Sequence, residues 1–190
     1  MNTTAFLAFG LCTCAFIPQT ASAADYEIDK SHAFAYFNVM HLGFAPSYGQ
    51  FTKISGKIKF EPTSPDQSSI TVDIDSSSVF TGNRKRDEHL RGPDFFDVKQ
   101  YPNIQFRSSA WKKTDNKNFE VSGTLNLHGV SKPITVTMTQ TGIGPDPWGN
   151  NRVGFTCAFE INRLDYGIKY MPDGLGKNVN IAFSVEGIQK

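Results

Sequence analysis

Residues 31–60 read SHAFAYFNVMHLGFAPSYGQFTKISGKIKF, and the alternation of side chains in this stretch decides the predicted fold. One face of the first strand is apolar, and its side chains change from small to bulky along the chain through Ala33, Ala35, Phe37 and Val39. The other face mixes apolar with polar side chains, namely Phe34, Tyr36, Asn38 and Met40. Residues 49–60 repeat the alternation, with Phe51 out of phase with Ile54, which predicts a β-bulge between them. Two such bent strands would begin a curved sheet, and we expect that sheet to close around a hollow interior.

The rest of the chain continues the two-residue period. Alternating apolar positions predict further strands at residues 26–29, 69–75, 103–111, 118–127, 134–141, 152–162 and 179–188. Residues 81–91 break this pattern and predict one short helix capped by Asn83, followed by Phe95 and Phe96, two rings that could plug one end of a barrel. Residues 163–177 predict an irregular segment that is long enough to cover an opening. Alternation fits both a barrel and a sandwich, but the single helix and the lack of a natural edge favour an all-β antiparallel barrel of about eight strands.

The beginning of the chain and its charge limit the classes of function. Residues 1–23 are predicted to be an export signal, because residues 6–18 are mostly apolar and Ala21-Ser22-Ala23 fits a small-x-small cleavage site. Residues 24–190 would then form a single domain. The net charge of +1 provides no basic field to attract nucleic acid. Cys157 alone would remain after cleavage, and its aromatic neighbours predict a buried and inert thiol.

The sequence patterns of common catalytic and metal sites are absent from the chain. The four histidines form no His-x-x-x-His or His-x-His pair, so we expect no metal site. No Gly-x-Ser-x-Gly elbow, phosphate loop or dinucleotide fingerprint is found either. These residue patterns therefore give no sign of catalysis. The alternative is a lipid- or small-molecule-modifying enzyme that acts through His41, His89 or Cys157.

The densest run of positive charge is Arg84-Lys85-Arg86, within the predicted helix. One interpretation is a solvated helix face that Asp87 and Glu88 partly neutralise. The other is a charged rim at a cavity mouth, where Arg84, His89 and Arg91 would meet an anionic headgroup.

Several short motifs occur in order along the whole predicted domain. They are Tyr26-x-Ile28-Asp29-x-x-His32, Val39-x-His41-Leu42-Gly43, Gly49-x-Phe51, Arg86-Asp87-x-His89-Leu90-Arg91, Asp94-Phe95-Phe96-Asp97, Tyr101-Pro102, Gly123-x-Leu125-x-Leu127-His128-Gly129-Val130-x-Lys132-Pro133 and Asp146-Pro147-Trp148-Gly149. Together they resemble the YceI-like family of polyisoprenoid-binding periplasmic proteins, which have a lipocalin-like barrel. The resemblance implies a periplasmic protein that holds an isoprenoid or similar long lipid inside the barrel for transport or storage, without catalysis and without a cofactor.

A hollow barrel of this kind would be lined by its inward-facing apolar side chains. The predicted lining residues are Phe37, Val39, Ile74, Phe106, Leu125, Val136, Phe155, Phe159, Ile181 and Phe183. The expected partner is an isoprenoid or fatty lipid, and we also consider transient membrane contact and a homodimer. A third hypothesis is a barrel with a solid core whose outer face, bearing Phe34, Tyr36 and Met40, binds a membrane redox partner.

Overall fold

The computed structural model describes residues 23–190, which form ten strands and one α-helix. The elements in chain order are β1 (Ala24–His41), β2 (Ala45–Phe51), β3 (Ile54–Phe60), β4 (Ser69–Asp75), β5 (Val79–Phe80), α1 (Arg84–Arg91), β6 (Asn103–Lys113), β7 (Asn118–Leu127), β8 (Val130–Pro145), β9 (Asn151–Asn162) and β10 (Leu175–Gln189). Short 3₁₀ turns occupy Pro65–Gln67, Ser76–Ser78 and Arg163–Tyr166. The predicted export signal lies outside the described residues, except for its last residue.

The strands form one antiparallel sheet that closes on itself. Its order runs β10-β9-β8-β7-β6-β4-β3-β1, and β1 also pairs with β10. The short strands β2 and β3 together occupy one position in the barrel, because both pair with β1. Strand β1 pairs with β3 through residues 24–27 and with β2 through residues 35–41. In the same way β4 and β5 share the next position, because β4 pairs with β3 and β5 pairs with β2. The result is a closed barrel of eight strands, which confirms the predicted fold class.

The sequence predicts two separate strands where the structure has the single strand β1, and a register irregularity in β1 explains the difference. Its pairing with β10 shifts between Ile28 and Ala33. The backbone there is held by Asp29, whose carboxylate accepts hydrogen bonds from the Ser31 N–H at 3.0 Å and the Ser31 hydroxyl at 2.6 Å. Because of this shift, even-numbered Ile28 and odd-numbered Ala35 are both buried. Residues 24–41 are therefore one strand with a bulge.

The predicted bulge between Phe51 and Ile54 is an interruption of the strand. Thr52 and Lys53 separate β2 from β3, and their N–H groups donate to the Ser78 carbonyl at 3.2 Å and the Ser78 hydroxyl at 3.1 Å. Phe51 and Ile54 are both buried as a consequence, although they differ by an odd number of residues. The phase change in the sequence thus marks a real corner of the wall.

One end of the barrel is packed solid with aromatic rings. The ring of Phe60 lies 5.4 Å from that of Phe119 and 5.0 Å from that of Phe155, and Trp111 lies 5.6 Å from Phe155. These residues come from the end of β3, the end of β6, the start of β7 and the first half of β9. Each pair is tilted or edge-to-face, the arrangement that aromatic quadrupoles favour. This end of the barrel is consequently sealed.

Two irregular segments cover the other end. The first, residues 81–102, lies between β5 and β6 and contains α1, whose N-cap Asn83 accepts a hydrogen bond from the Arg86 N–H at 3.1 Å. The second, residues 163–174, lies between β9 and β10 and is called the flap here. Within residues 23–190, no helix is long and apolar enough to cross a bilayer.

Candidate functional site

The covered half of the barrel encloses an apolar cavity of about 190 Å³. Side chains from eight strands, from the segment around α1 and from the flap contribute to its wall. An apolar cavity of roughly 150 Å³ stays free of water and binds small apolar molecules. The cavity is therefore a site for hydrocarbon, and the predicted hollow interior is present. The hypothesis of a solid core does not hold for this barrel.

Nine of the ten predicted lining residues lie along this cavity. They are Phe37, Val39, Ile74, Phe106, Leu125, Val136, Phe159, Ile181 and Phe183. The tenth, Phe155, does not line it, because its ring is fully buried against Phe60 and Trp111 at the sealed end. Phe155 and Phe159 share one face of β9, but they lie at different heights, opposite Val185 and Ile181 of β10. Alternation determines the face of a strand that a side chain occupies, and it does not determine the height along the barrel.

The segment after α1 supplies lining residues outside the predicted strands. Phe95 and Phe96, suggested by the sequence as a plug, both line the cavity together with Leu90. The ring of Phe96 lies 5.2 Å from that of Phe51 and 6.4 Å from that of Phe37. Phe96 thus closes the barrel by joining the strand wall to the cover.

The predicted headgroup rim is not assembled as expected. Arg91 donates from Nε to the Ser77 carbonyl at 2.7 Å and from Nη2 to the Val79 carbonyl at 2.9 Å, so it anchors α1 to the wall. The Arg84 side chain is 87% exposed and lies 3.8 Å from Glu88 one turn later, which matches the interpretation as a solvated helix face. These contacts correct the predicted role of Arg91.

His89 differs from the two arginines because it belongs to the cover of the cavity. Its Nε2 lies 2.8 Å from Oδ2 of Asp94. Its ring contacts the rings of Phe95 and Tyr170, both at a centroid distance of 5.0 Å. Since Phe95 lines the cavity and Tyr170 belongs to the flap, His89 joins the two covering segments.

A buried arginine, which the sequence analysis missed, holds the flap in place. Arg163 donates to five backbone carbonyls at 2.7–3.4 Å, those of Ile168, Tyr170, Met171, Leu175 and Gly176. Burial lowers the pKa of this guanidinium from its usual value, but arginine remains protonated at neutral pH. All five of its N–H groups are used in this way, so Arg163 acts as a clamp at the cavity wall. The sequence signal for it is a lone arginine at the start of a glycine-rich irregular segment.

Cys157 also lines the cavity, in a setting that opposes nucleophilic chemistry. Burial raises the pKa of its thiol to about 12. The thiolate is the reactive form of cysteine, and it is scarcely populated at neutral pH when the pKa is so high. The enzyme hypothesis therefore gains no support from Cys157.

One group of candidate metal ligands lies on the outside of the bulge in β1. Asp29, His32 and Glu186 each offer a ligand atom within 4.8 Å of the others. The same carboxylates are already paired with Arg152, whose Nη1 is 2.8 Å from Asp29 and 3.0 Å from Glu186. A metal ion would have to displace this guanidinium, so the donor set fits an ion-pair network better than a metal site.

A closed antiparallel barrel with one sealed end, a covered end and an apolar cavity defines a class of small internal-cavity barrels. The sequence model of the YceI-like domain matches residues 26–187, and the chain belongs to the YceI-like family. It is 38% identical over 187 residues to a UPF0312 protein of Pseudomonas putida strain W619, covering 97% of both chains.

Solved structures share the same fold. BcnA of Burkholderia cenocepacia superposes with a TM-score of 0.77 at 24% identity, covering 84% of this chain and 98% of BcnA. A polyisoprenoid binding domain from Saccharophagus degradans superposes with a TM-score of 0.70 at 18% identity, covering 88% of this chain and 99% of that domain. At these identities the likeness shows the fold.

Proposed function

We propose that this protein is an exported, non-enzymatic carrier that holds a polyisoprenoid or similar long apolar chain inside its barrel. The observation that carries the proposal is the apolar cavity of about 190 Å³, lined along its length by phenylalanine and aliphatic side chains. The structural neighbour from Saccharophagus degradans is described as a polyisoprenoid binding domain, which agrees in ligand class.

The energetics of such a cavity favour hydrocarbon chains without a specific polar contact. Each methylene group moved out of water gains about 0.8 kcal/mol. Ten methylene groups would gain on the order of 8 kcal/mol, from which the cost of immobilising the chain is subtracted. Length and shape would then select the ligand, while the flap and the segment around α1 keep it away from water.

The proposal includes export to the periplasm and transient contact with a membrane. The leader expected at residues 1–23 supports export. A lipid that is insoluble in water needs a soluble carrier to pass between membranes. Fractionation of the native host should recover the protein in the periplasm, with a mature N-terminus at Ala24.

Extraction of the native protein tests the cargo. Protein purified from its host is extracted with organic solvent, and the extract is analysed by mass spectrometry for prenyl and fatty chains. Cys157→Phe would place a ring in the cavity, and we expect it to lower the amount of co-purified lipid at least tenfold. Cys157→Ala is the matched control and should keep the lipid. Native protein that is repeatedly empty and takes up no long prenyl lipid would refute the proposal.

A further inference from the structure

An exposed apolar surface lies next to the covered end of the cavity. We call it the mouth surface and define it by the residues Leu42, Phe44, Tyr170 and Met171, which are 50%, 87%, 40% and 36% exposed. Leu42 and Phe44 belong to the tight turn between β1 and β2, and the other two residues belong to the flap. We propose that the mouth surface inserts into the surface of a phospholipid bilayer containing anionic lipids. This inference rests on the carrier function proposed above and assigns the membrane contact to particular residues.

The two segments that form the mouth surface are joined to each other. The Leu42 N–H donates to the Gly174 carbonyl at 2.7 Å. The side chains of Leu42 and Met171 both lie against Gly174. A Cβ atom added to Gly174 would collide with Met171 Cε and would lie 3.1 Å from Leu42 Cδ2. The hairpin turn and the flap thus present their apolar side chains together.

The backbone at the mouth surface is strained in a way that a simple surface turn would avoid. Leu42 has φ of 51° and Met171 has φ of 50°, both in the left-handed region. Glycine or asparagine adopts this conformation at lower cost and is more soluble. A large apolar side chain that is exposed, on a residue whose backbone is strained, therefore points to a function for that side chain.

The mouth surface is continuous with the cavity lining at two places. The Leu175 N–H donates to the Met171 carbonyl at 2.9 Å, and Leu175 lines the cavity. On the other side, the ring of Tyr170 lies 5.2 Å from that of Phe95, which also lines the cavity. An apolar chain leaving through this end would meet the mouth surface first. A bilayer in contact with that surface would receive the chain without exposing it to water.

The charges around the mouth surface suit a bilayer with anionic headgroups. Lys169 within the flap and Lys177 after it are exposed, and so are the two carboxylates of the flap, Asp165 and Asp173, of which Asp165 is paired with Lys132 at 3.6 Å. Lys85 lies one helical turn before His89 on the same face of α1, and His89 contacts Tyr170. Apolar side chains surrounded by cations are the features by which interfacial segments bind such membranes. A lipid surface is therefore a better occupant than a second copy of this chain, which would bring the same cations together.

Flotation with lipid vesicles tests the inference. The purified protein is mixed with vesicles of phosphatidylethanolamine and phosphatidylglycerol, and the bound fraction is measured against lipid concentration. We expect the wild type to bind and the double variant Leu42→Asn with Phe44→Ser to bind about tenfold more weakly or less, because two apolar side chains no longer leave water. The matched control, Ile143→Asn with Trp148→Ser, removes two exposed apolar side chains at the sealed end and should bind like the wild type.

Two further measurements separate the outcomes. Uptake of a fluorescent polyene fatty acid in solution reports on the cavity, and the double variant should retain it. Absent vesicle binding together with normal uptake would overturn the membrane inference and leave the carrier function standing. Equal vesicle binding by the double variant and the wild type would overturn it too. A third contrary outcome would be sedimentation in which the wild type is a dimer and the double variant is a monomer. The mouth surface would then face a second copy of the chain.

Discussion

The ring of Tyr170 meets the ring of His89 edge-to-face, with the two centroids 5.0 Å apart. This contact joins the flap to the segment around α1, and Phe95 completes the cluster at 5.0 Å from His89 and 5.2 Å from Tyr170. The covered end of the barrel is thus closed by side-chain packing between two irregular segments. Parting three rings is a small cost compared with opening the sheet, so this cluster is the expected route for a ligand.

Removing the Tyr170 ring should speed ligand release. Tyr170→Ala deletes two ring contacts, each worth about 0.5–1.5 kcal/mol. We expect the dissociation rate of a fluorescent fatty acid to rise on the order of tenfold, as measured by stopped-flow transfer to acceptor vesicles. Tyr48→Ala is the matched control, because Tyr48 is exposed on β2, and its rate should equal that of the wild type. An unchanged rate in Tyr170→Ala would place the exit elsewhere.

Removing the Arg163 clamp should destabilise the protein. Arg163→Met removes the guanidinium from five backbone carbonyls. The Met171 carbonyl still accepts from the Leu175 N–H at 2.9 Å, and each buried carbonyl that is left unsatisfied costs about 1–3 kcal/mol. Water that enters the loosened flap recovers part of this, so we expect the free energy of unfolding in urea to fall by about 3 kcal/mol or more. Arg84→Met, at an exposed arginine, should stay within about 0.5 kcal/mol of the wild type. Similar losses in both variants would show that Arg163 is no clamp.

The strand wall could be predicted from the sequence because alternation is a local property. Inward and outward positions repeat every two residues, and even the corner between Phe51 and Ile54 appears as a change of phase. The position of the cavity along the barrel could not be predicted in this way. Phe155 and Phe159 have the same pattern in the sequence, and only the packing of Phe155 against Phe60 and Trp111 separates the sealed end from the hollow end.

The sequence predicts that irregular segments cover one end of the barrel, but it does not predict the contacts that these segments make. Residues 163–177 are rich in glycine and have no period, which indicates an irregular segment that could cover an opening. The clamp consists of one side chain bonded to backbone carbonyls, and such bonds depend on the path of the chain and leave no mark on residue type. Likewise Arg91 looks like a rim cation in the sequence, while its contacts with Ser77 and Val79 are visible only in the structure.

An ion-pair network around Arg152 should make the stability of the protein sensitive to acid. The Arg152 guanidinium, 2.7 Å from Asp146, holds the pKa of that carboxyl well below its usual value. The pKa of Asp29 is lowered mainly by the Ser31 hydroxyl and next by Arg152. Depressed carboxyl pKa values stabilise the fold above the unfolded pKa of about 4, and this stabilisation is lost as pH falls below it. We expect the urea midpoint to drop between pH 7 and pH 3 in the wild type.

Arg152→Gln should reduce this acid sensitivity. Without the guanidinium both carboxyl pKa values move towards their ordinary range, so the difference between the urea midpoints at the two pH values should shrink. The control Arg107→Gln breaks an ion pair with Asp73 whose side chains are 44% and 35% exposed, and it should keep the wild-type pH dependence. An Arg152→Gln protein with undiminished acid sensitivity would assign the effect to other groups.

Cys157 should be unreactive in the folded protein because it lies in the cavity wall. Burial raises the pKa of its thiol to about 12, so roughly one molecule in ten thousand carries a thiolate at pH 8. Iodoacetamide labelling at this pH, followed by mass spectrometry of the peptide that contains Cys157, should be more than about a thousandfold slower in the folded than in the urea-unfolded protein. Labelling in the folded Tyr170→Ala variant should be faster than in the wild type, since an easier opening of the cover admits water and reagent. Rapid labelling of the wild type would mean that the cavity opens to water often, which is incompatible with a cover that shields an apolar cargo.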